Sequence, residues 1–315
     1  MEERMKRFLK SGLKIWALAI CFCFIAGTGS AAEKIRFGYV NWPGVTVKTQ
    51  VAAQILDYLG YETEMRMLSV PVVFRGLASN DLDLFLGAWV PTMKSMVNKY
   101  LEEGSIVEIT VNLNQTVYTL AVPAYAWEAG VKSHADLDQF GDKFNKKIIG
   151  IEPGNDGNQI VLDMIKNDTY GLGDWELIES SSEAMMVSVG SAIKKMEWVV
   201  WLGWSPHWMN LAYDIHYLDD PENVWGSEPE VVKTMARSGL EKENPNIFKL
   251  FTQFKVTPEV QNSWINQYSR EKQKPEAVAK EWIKNNLGIV DQWVYGVNSA
   301  DGQRARDAIR KAIGG

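Results

Sequence analysis

The chain has 315 residues, of which 46% are hydrophobic and 23% charged; this is a globular composition, excludes a disordered or fibrous chain, and is long enough for one large domain or two ordinary ones. The formal net charge is −6, and setting residues 1–32 aside leaves 28 Lys+Arg against 37 Asp+Glu, a net −9. An acidic chain of this kind is not expected to bind nucleic acid or an anionic lipid surface. Thirteen tryptophans are more than a core of this size needs, so some are expected at a cleft.

Residues 1–32 read as an export signal. Arg4, Lys6, Arg7, Lys10 and Lys14 precede an apolar run at 15–26 that is short for a membrane span, and Ser30-Ala31-Ala32 places cleavage after Ala32. The alternative is a retained anchor. Both cysteines, Cys21 and Cys23, fall in this segment. The mature chain is therefore expected to be exported and to carry no disulfide, thiolate nucleophile or cysteine metal site; the resemblance described below implies the periplasm as its location.

The first strand is expected at 34–40, followed by a turn at Asn41-Trp42-Pro43-Gly44. Val47, Val51, Ile55 and Leu59 then recur at steps of four, which predicts an amphipathic helix over 46–59 stopped by Gly60. A strand at 61–68, a short helix at 72–78 and a strand entered at Asp83 complete a β-α-β-α-β order, the pattern of a parallel sheet wrapped by helices. The strand from Asp83 ends in Gly87-Ala88-Trp89-Val90-Pro91, and Gly203-Trp204-Ser205-Pro206 repeats the idea at the end of a strand over 198–203. In each case the proline is expected to open a helix; the one after Pro91 would run to about Glu103.

Between these two sites the pattern begins again. Strands are expected at 116–122, 147–151 and 176–179, and helices at 135–140, 158–167 and 183–195. A strand at 215–218 is expected to return to the first half, and the chain from about Pro229 reads as mostly helical (246–254, 258–268, 275–286). The stretch from Asn298 onward reads as a polar tail with one loosely attached helix. The fold class is therefore α/β with two lobes: 33–116 plus 217–315 as lobe 1 and 117–216 as lobe 2, hinged by crossovers near 117–122 and 213–218.

Trp42, Trp89, Tyr118 and Trp204 stand on or just after strand ends, where ligands of open α/β sheets bind. A quaternary ammonium has no N–H, so ring faces rather than hydrogen-bond acceptors must hold it. Four desolvated faces at about 2 kcal/mol each give on the order of 8 kcal/mol before ordering costs, about the size of micromolar binding. The competing reading makes all four ordinary core aromatics. Gly44 and Val45 at a helix N-terminus suit an anionic end of the same ligand. The loop containing Asn155 offers an amide, and His207 a donor for a carboxylate or a plain structural role. Asp81 and Asp83 read as solvated or capping groups, and His134 and His216 as isolated. No catalytic set, metal-ligand spacing, P-loop or nucleotide fingerprint is present, so neither an enzyme nor a cofactor is expected.

Asn41-Trp42, the run Leu86-Gly-Ala-Trp-Val-Pro-Thr-Met93, Gly150-Ile-Glu-Pro-Gly-Asn-Asp-Gly-Asn158 and Trp204-Ser-Pro-His-Trp-Met209 together resemble the substrate-binding proteins of glycine betaine/choline ABC importers, over the mature chain to about residue 265. The resemblance implies a two-lobed periplasmic-binding-protein fold, type II-like, closing on a quaternary ammonium osmolyte. It implies Trp42, Trp89, Tyr118 and Trp204 as the aromatic box and Asn155 at the ligand's polar end. It also implies a monomer delivering its ligand to a permease and ATPase in the inner membrane. Choline-selective members carry an acidic residue where this chain has Gly44, so glycine betaine or a similar zwitterion is expected, with choline second. A secreted enzyme or a sugar receptor with a tryptophan-lined cleft are the readings from other classes.

Overall fold

The computed structural model describes residues 34–314. The expected signal segment, its cleavage point and both cysteines lie outside the described residues. The strands are β1 (Lys34–Tyr39), β2 (Glu62–Met67), β3 (Leu84–Val90), β4 (Ile106–Leu113), β5 (Val117–Pro123), β6 (Lys147–Ile149), β7 (Glu176–Ile178), β8 (Val200–Ser205), β9 (Ile215–Tyr217) and β10 (Val231–Arg237). They form two five-stranded sheets, ordered β2-β1-β3-β10-β4 and β7-β6-β8-β5-β9.

The two sheets share one plan. In the first, β1 is parallel to β2 and β3, while β10 runs antiparallel between β3 and β4. In the second, β6 is parallel to β7 and β8, while β5 runs antiparallel between β8 and β9. Parallel neighbours require helical crossovers. These are α1 (Pro43–Tyr58) and α2 (Val70–Ala78) in the first sheet; α3 (Lys94–Glu102) leads on to β4. In the second they are α4 (Asp156–Lys166) and α5 (Ser182–Lys194). β3 and β8 thus hold equivalent central places, and each ends in a tryptophan.

Several expectations change. α1 begins at Pro43 rather than at residue 46, and it is not a surface helix with one apolar stripe: Pro43 to Thr49 and Val51 to Leu56 are all buried. The cause is the C-terminal part of the chain. α6 (Pro245–Gln253), α7 (Pro258–Ile265), α8 (Pro275–Asn285), α9 (Leu287–Trp293) and α10 (Ala305–Gly314) contribute Trp264, Val278, Ile283 and Ile309 to the same core as Val47, Val51 and Ile55. The tail is therefore docked, with Ala305 and Ile309 buried, Ala300 N–H donating to Leu59 O at 2.8 Å, and Arg310 paired to Asp291 at 2.7 Å.

Two strands were not anticipated, β4 and β10. The latter is the short run Val-Val-Lys-Thr-Met-Ala-Arg, strand only because β3 and β4 flank it, a long-range condition that local pattern does not carry. The segment at 215–218 does not return to the first sheet; β9 pairs with β5 (Ala121 opposite Tyr217) as the edge of the second. Pro91 and Pro206 do not open helices either. Their peptide bonds are cis, the chain turns, and α3 starts only at Lys94.

Asp83 is not a solvated cap. It is buried and receives Arg36 Nε at 2.8 Å, Arg36 Nη2 at 2.9 Å, the Arg36 backbone N–H at 2.7 Å and Arg237 Nε at 2.6 Å. Burial alone would raise its pKa, but the bonds from Arg36 and Arg237 outweigh it and hold the carboxyl below its ordinary value. This set ties β1 and β10 to the entrance of β3. Removing one member of a buried ion set leaves the others uncompensated. Asp83→Ala is expected to lower unfolding stability by about 3–5 kcal/mol in urea titrations. A loss below about 1 kcal/mol, the range of a solvent-exposed pair, would show the set to be dispensable.

Candidate functional site

The ends of β1, β3, β5 and β8 meet at one cavity, partly continuous with solvent. Trp42, Trp89, Tyr118 and Trp204 all line it. Trp42 is the residue before α1, fixed by Thr46 N–H donating to its carbonyl at 2.9 Å. Trp89 stands near the end of β3, opposite Val232 of β10. Tyr118 and Trp204 face each other across the β5–β8 ladder. The Tyr118 ring centroid lies 5.8 Å from Trp89 and 6.1 Å from Trp204, both edge-to-face.

The rings are held from behind. Trp42 Nε1–H donates to Glu152 Oε1 at 2.8 Å, joining the first sheet's helix to the loop after β6. Tyr118 O–H donates to Asn155 Oδ1 at 2.9 Å, and the same oxygen caps α4 by accepting from Asn158 N–H at 3.1 Å. A Cβ on Gly157 would sit 2.2 Å from the Tyr118 oxygen, so that approach requires glycine.

Of the other expected residues, Gly44 and Val45 line the cavity, and as first-turn residues of α1 their N–H groups have no intrahelical acceptor. Asn155 and His207 do not line it. Asn155 is buried behind Tyr118. His207 is buried beside Trp204, ring centroids 4.8 Å apart, with Nδ1 accepting from Met209 N–H at 3.3 Å. Burial pushes its pKa down to about 3, so it is neutral. The other histidines are engaged too: His134 is buried 3.0 Å from Thr119 Oγ1, and His216 stacks on Trp127 at 4.2 Å.

Two lining residues with polar side chains were missed. Lys48 is fully buried one turn after Gly44, and its Nζ donates to Asn112 Oδ1 at 2.6 Å. A lysine inside an apolar helical run, four residues after a site glycine, is a signal that was available. Gln261 comes from α7, and no local pattern points to it.

The charge around the rings is uneven. Asp156, the first residue of α4, has its carboxyl pushed by burial up to about 8, and its Oδ2 has no partner. Burial raises Glu230 to about 7, despite Thr92 Oγ1–H donating to Oε2 at 2.7 Å; Glu152 is also raised by burial. These three carboxyls surround Tyr118, whose own pKa is raised chiefly by burial. At the α1 end Lys48 is the ionisable group of the lining, lowered by burial to about 7. The ionisable groups therefore differ between the two ends: carboxyls behind the rings, and a lysine at the start of α1.

Residues 33–285 match the family described as the substrate binding domain of ABC-type glycine betaine transport systems. The chain is 36% identical to an ABC-transporter choline-binding protein solved with choline, with a TM-score of 0.87 over 90% of this chain and 99% of that one. It is 33% identical to lactococcal OpuAC in a closed complex with glycine betaine, with a TM-score of 0.75 over 83% and 99%. It is also 33% identical to the glycine betaine/carnitine transport binding protein GbuC of Listeria monocytogenes, over 53% of this chain and 55% of that protein.

A carboxyl with a raised folded-state pKa keeps a proton that the unfolded chain has released, so its contribution to stability is full below its ordinary value and lost as pH rises through the folded one. For Asp156 that window runs from about 4 to about 8. Asp156→Asn is therefore expected to gain stability relative to the wild type as pH goes from 5 to 8, by at most about 1.4 kcal/mol per pH unit. Paired denaturant titrations read this difference, in which the titrations of Glu230, Lys48 and His207 cancel. A difference independent of pH would mean that Asp156 is ionised throughout.

Proposed function

Because the chain belongs to the family of substrate-binding domains of ABC-type glycine betaine transport systems, we propose that Trp42, Trp89, Tyr118 and Trp204 hold the trimethylammonium group of its ligand. The protein is a substrate-binding protein of a glycine betaine/choline ABC importer. The ligand reading favours a betaine over choline. What carries it is the meeting of four ring faces, two from each sheet, with the unpaired first-turn N–H groups of Gly44 and Val45 at the same cavity. Those N–H groups and the helix dipole suit a carboxylate, and no acidic residue stands in the first turn of α1.

Residues 33–116 with about 219–315 form one lobe in this reading, and 117–218 the other. The crossings between β4 and β5, and between β9 and β10, act as the hinge. Closure brings Trp42 onto Glu152 and completes the box around the ligand, a hinge motion of the ligand-clamping kind. Asn155 and His207 act by positioning Tyr118 and Trp204. The protein works as an exported monomer in the periplasm and hands its ligand to a membrane permease driven by an ATPase. Among the described residues no helix is long and apolar enough to cross a membrane.

Choline, which a relative of 36% identity binds, is the second reading. Trp89→Ala and Trp204→Ala are each expected to weaken glycine betaine binding by about 30-fold or more, the equivalent of one desolvated ring face, with an unchanged melting profile for Trp89→Ala. Calorimetry would measure both. Unchanged affinity in both variants would dismiss the box, and a thermal-shift panel of glycine betaine, proline betaine, carnitine and choline would rank the ligands.

A further inference from the structure

Lys48 is the least explained group in the molecule. Its side chain is buried at the cavity wall, yet its hydrogen bond goes to a neutral amide, Asn112 Oδ1 at 2.6 Å. That amide is itself fixed, donating through Nδ2 to Leu86 O at 3.1 Å and to Thr234 Oγ1 at 3.0 Å. Burial is the cause of the lysine's lowered pKa, with no carboxylate raising it. An ammonium has three donors, and a buried one without a counter-ion is costly. Next to it Gln261, also buried and lining the cavity, keeps an acceptor, Oε1, without a partner. A Cβ on Gly44 would lie 2.2 Å from Gln261 Nε2. Any side chain at position 44 would have to displace the Gln261 amide, and with glycine there no acid comes from that position to neutralise the lysine.

We infer that Lys48 is the specificity-determining residue of the cavity: its ammonium, with the Gly44 and Val45 N–H groups, takes the carboxylate of a zwitterionic quaternary ammonium ligand and disfavours a purely cationic one. This rests on the quaternary-ammonium reading above and adds the anionic half of the ligand. The site then has matching poles. Glu152, Asp156 and Glu230 stand near Tyr118, and Lys48 lies at the start of α1, bonded to the uncharged Asn112 of β4, which in turn donates to Thr234 of β10, with Gln261 of α7 lining the same cavity. Choline has no carboxylate to offer and brings a second positive charge, which repels the ammonium.

Calorimetric titration of the mature protein and of Lys48→Met with glycine betaine and with choline tests the assignment. The wild type is expected to prefer glycine betaine. In Lys48→Met, betaine affinity is expected to fall about 10- to 100-fold, the worth of a hydrogen bond to a charged group, while choline affinity holds or rises. Equal losses for both ligands, or none, would overturn the assignment. A wild type that bound neither would overturn the reading beneath it, and is told apart because Trp89→Ala would then have nothing to lose. Should Lys48→Met fail to fold, Lys48→Arg decides, because its guanidinium stays charged at every pH tested. The betaine-to-choline affinity ratio is expected to fall between pH 6 and pH 9 in the wild type and to fall less in Lys48→Arg, since the three carboxyls titrate in both proteins and only the lysine loses its charge; an equal fall in both also rejects the anchor. A ratio that does not move rejects the anchor.

Discussion

A fully methylated ammonium cannot be hydrogen-bonded, so a protein that holds it must surround it with the negative faces of aromatic rings in a site cleared of water. On the proposed reading that constraint explains why the four rings stand where they do. Faces on several sides of one small cation cannot all come from one sheet edge. They come here from the ends of two sheets, Trp42 and Trp89 from one, Tyr118 and Trp204 from the other. Equivalent central strands, β3 and β8, each present a tryptophan by the same device, a glycine, the ring, and a proline that turns the chain.

The shared plan of the sheets makes their differences informative. β1 and β6 are equivalent, and each leads to a helix N-terminus aimed at the cleft region. α4 begins with Asp156, capped by Asn155, so a carboxyl offsets its positive end. α1 begins with Trp42 and Pro43, has no acid in its first turn, and carries Lys48 one turn further on. A duplicated architecture has been given opposite electrical character at matching points. The aromatic wall sits between the two, and burial raises the carboxyls of Glu152, Asp156 and Glu230 behind it, Asp156 to about 8 and Glu230 to about 7.

The rings were legible in the sequence because a tryptophan after a strand and a glycine is a local signal. The parallel β-α-β order of both halves was legible for the same reason. Asn155 and His207 were found as residues but not in their places, since whether a side chain faces a cavity or braces the ring that does depends on tertiary packing. β10 was read as part of a helical region because its strand state is imposed by β3 and β4 from far away in the chain. Gln261 was invisible for a similar reason: it reaches the cavity only because α7 packs on the start of α1. Lys48 is the instructive omission. It stands among Val45, Val47 and Val51, and a buried charge inside such an apolar pattern is itself the unusual fact.

The indole N–H of Trp42 and the carboxylate of Glu152 come from opposite sheets and meet at 2.8 Å. On the proposed reading one residue is both a wall of the binding chamber and a latch across it. Separating the sheets would break the latch and open the chamber in a single movement, so the outline of the protein would change together with the state of its chamber.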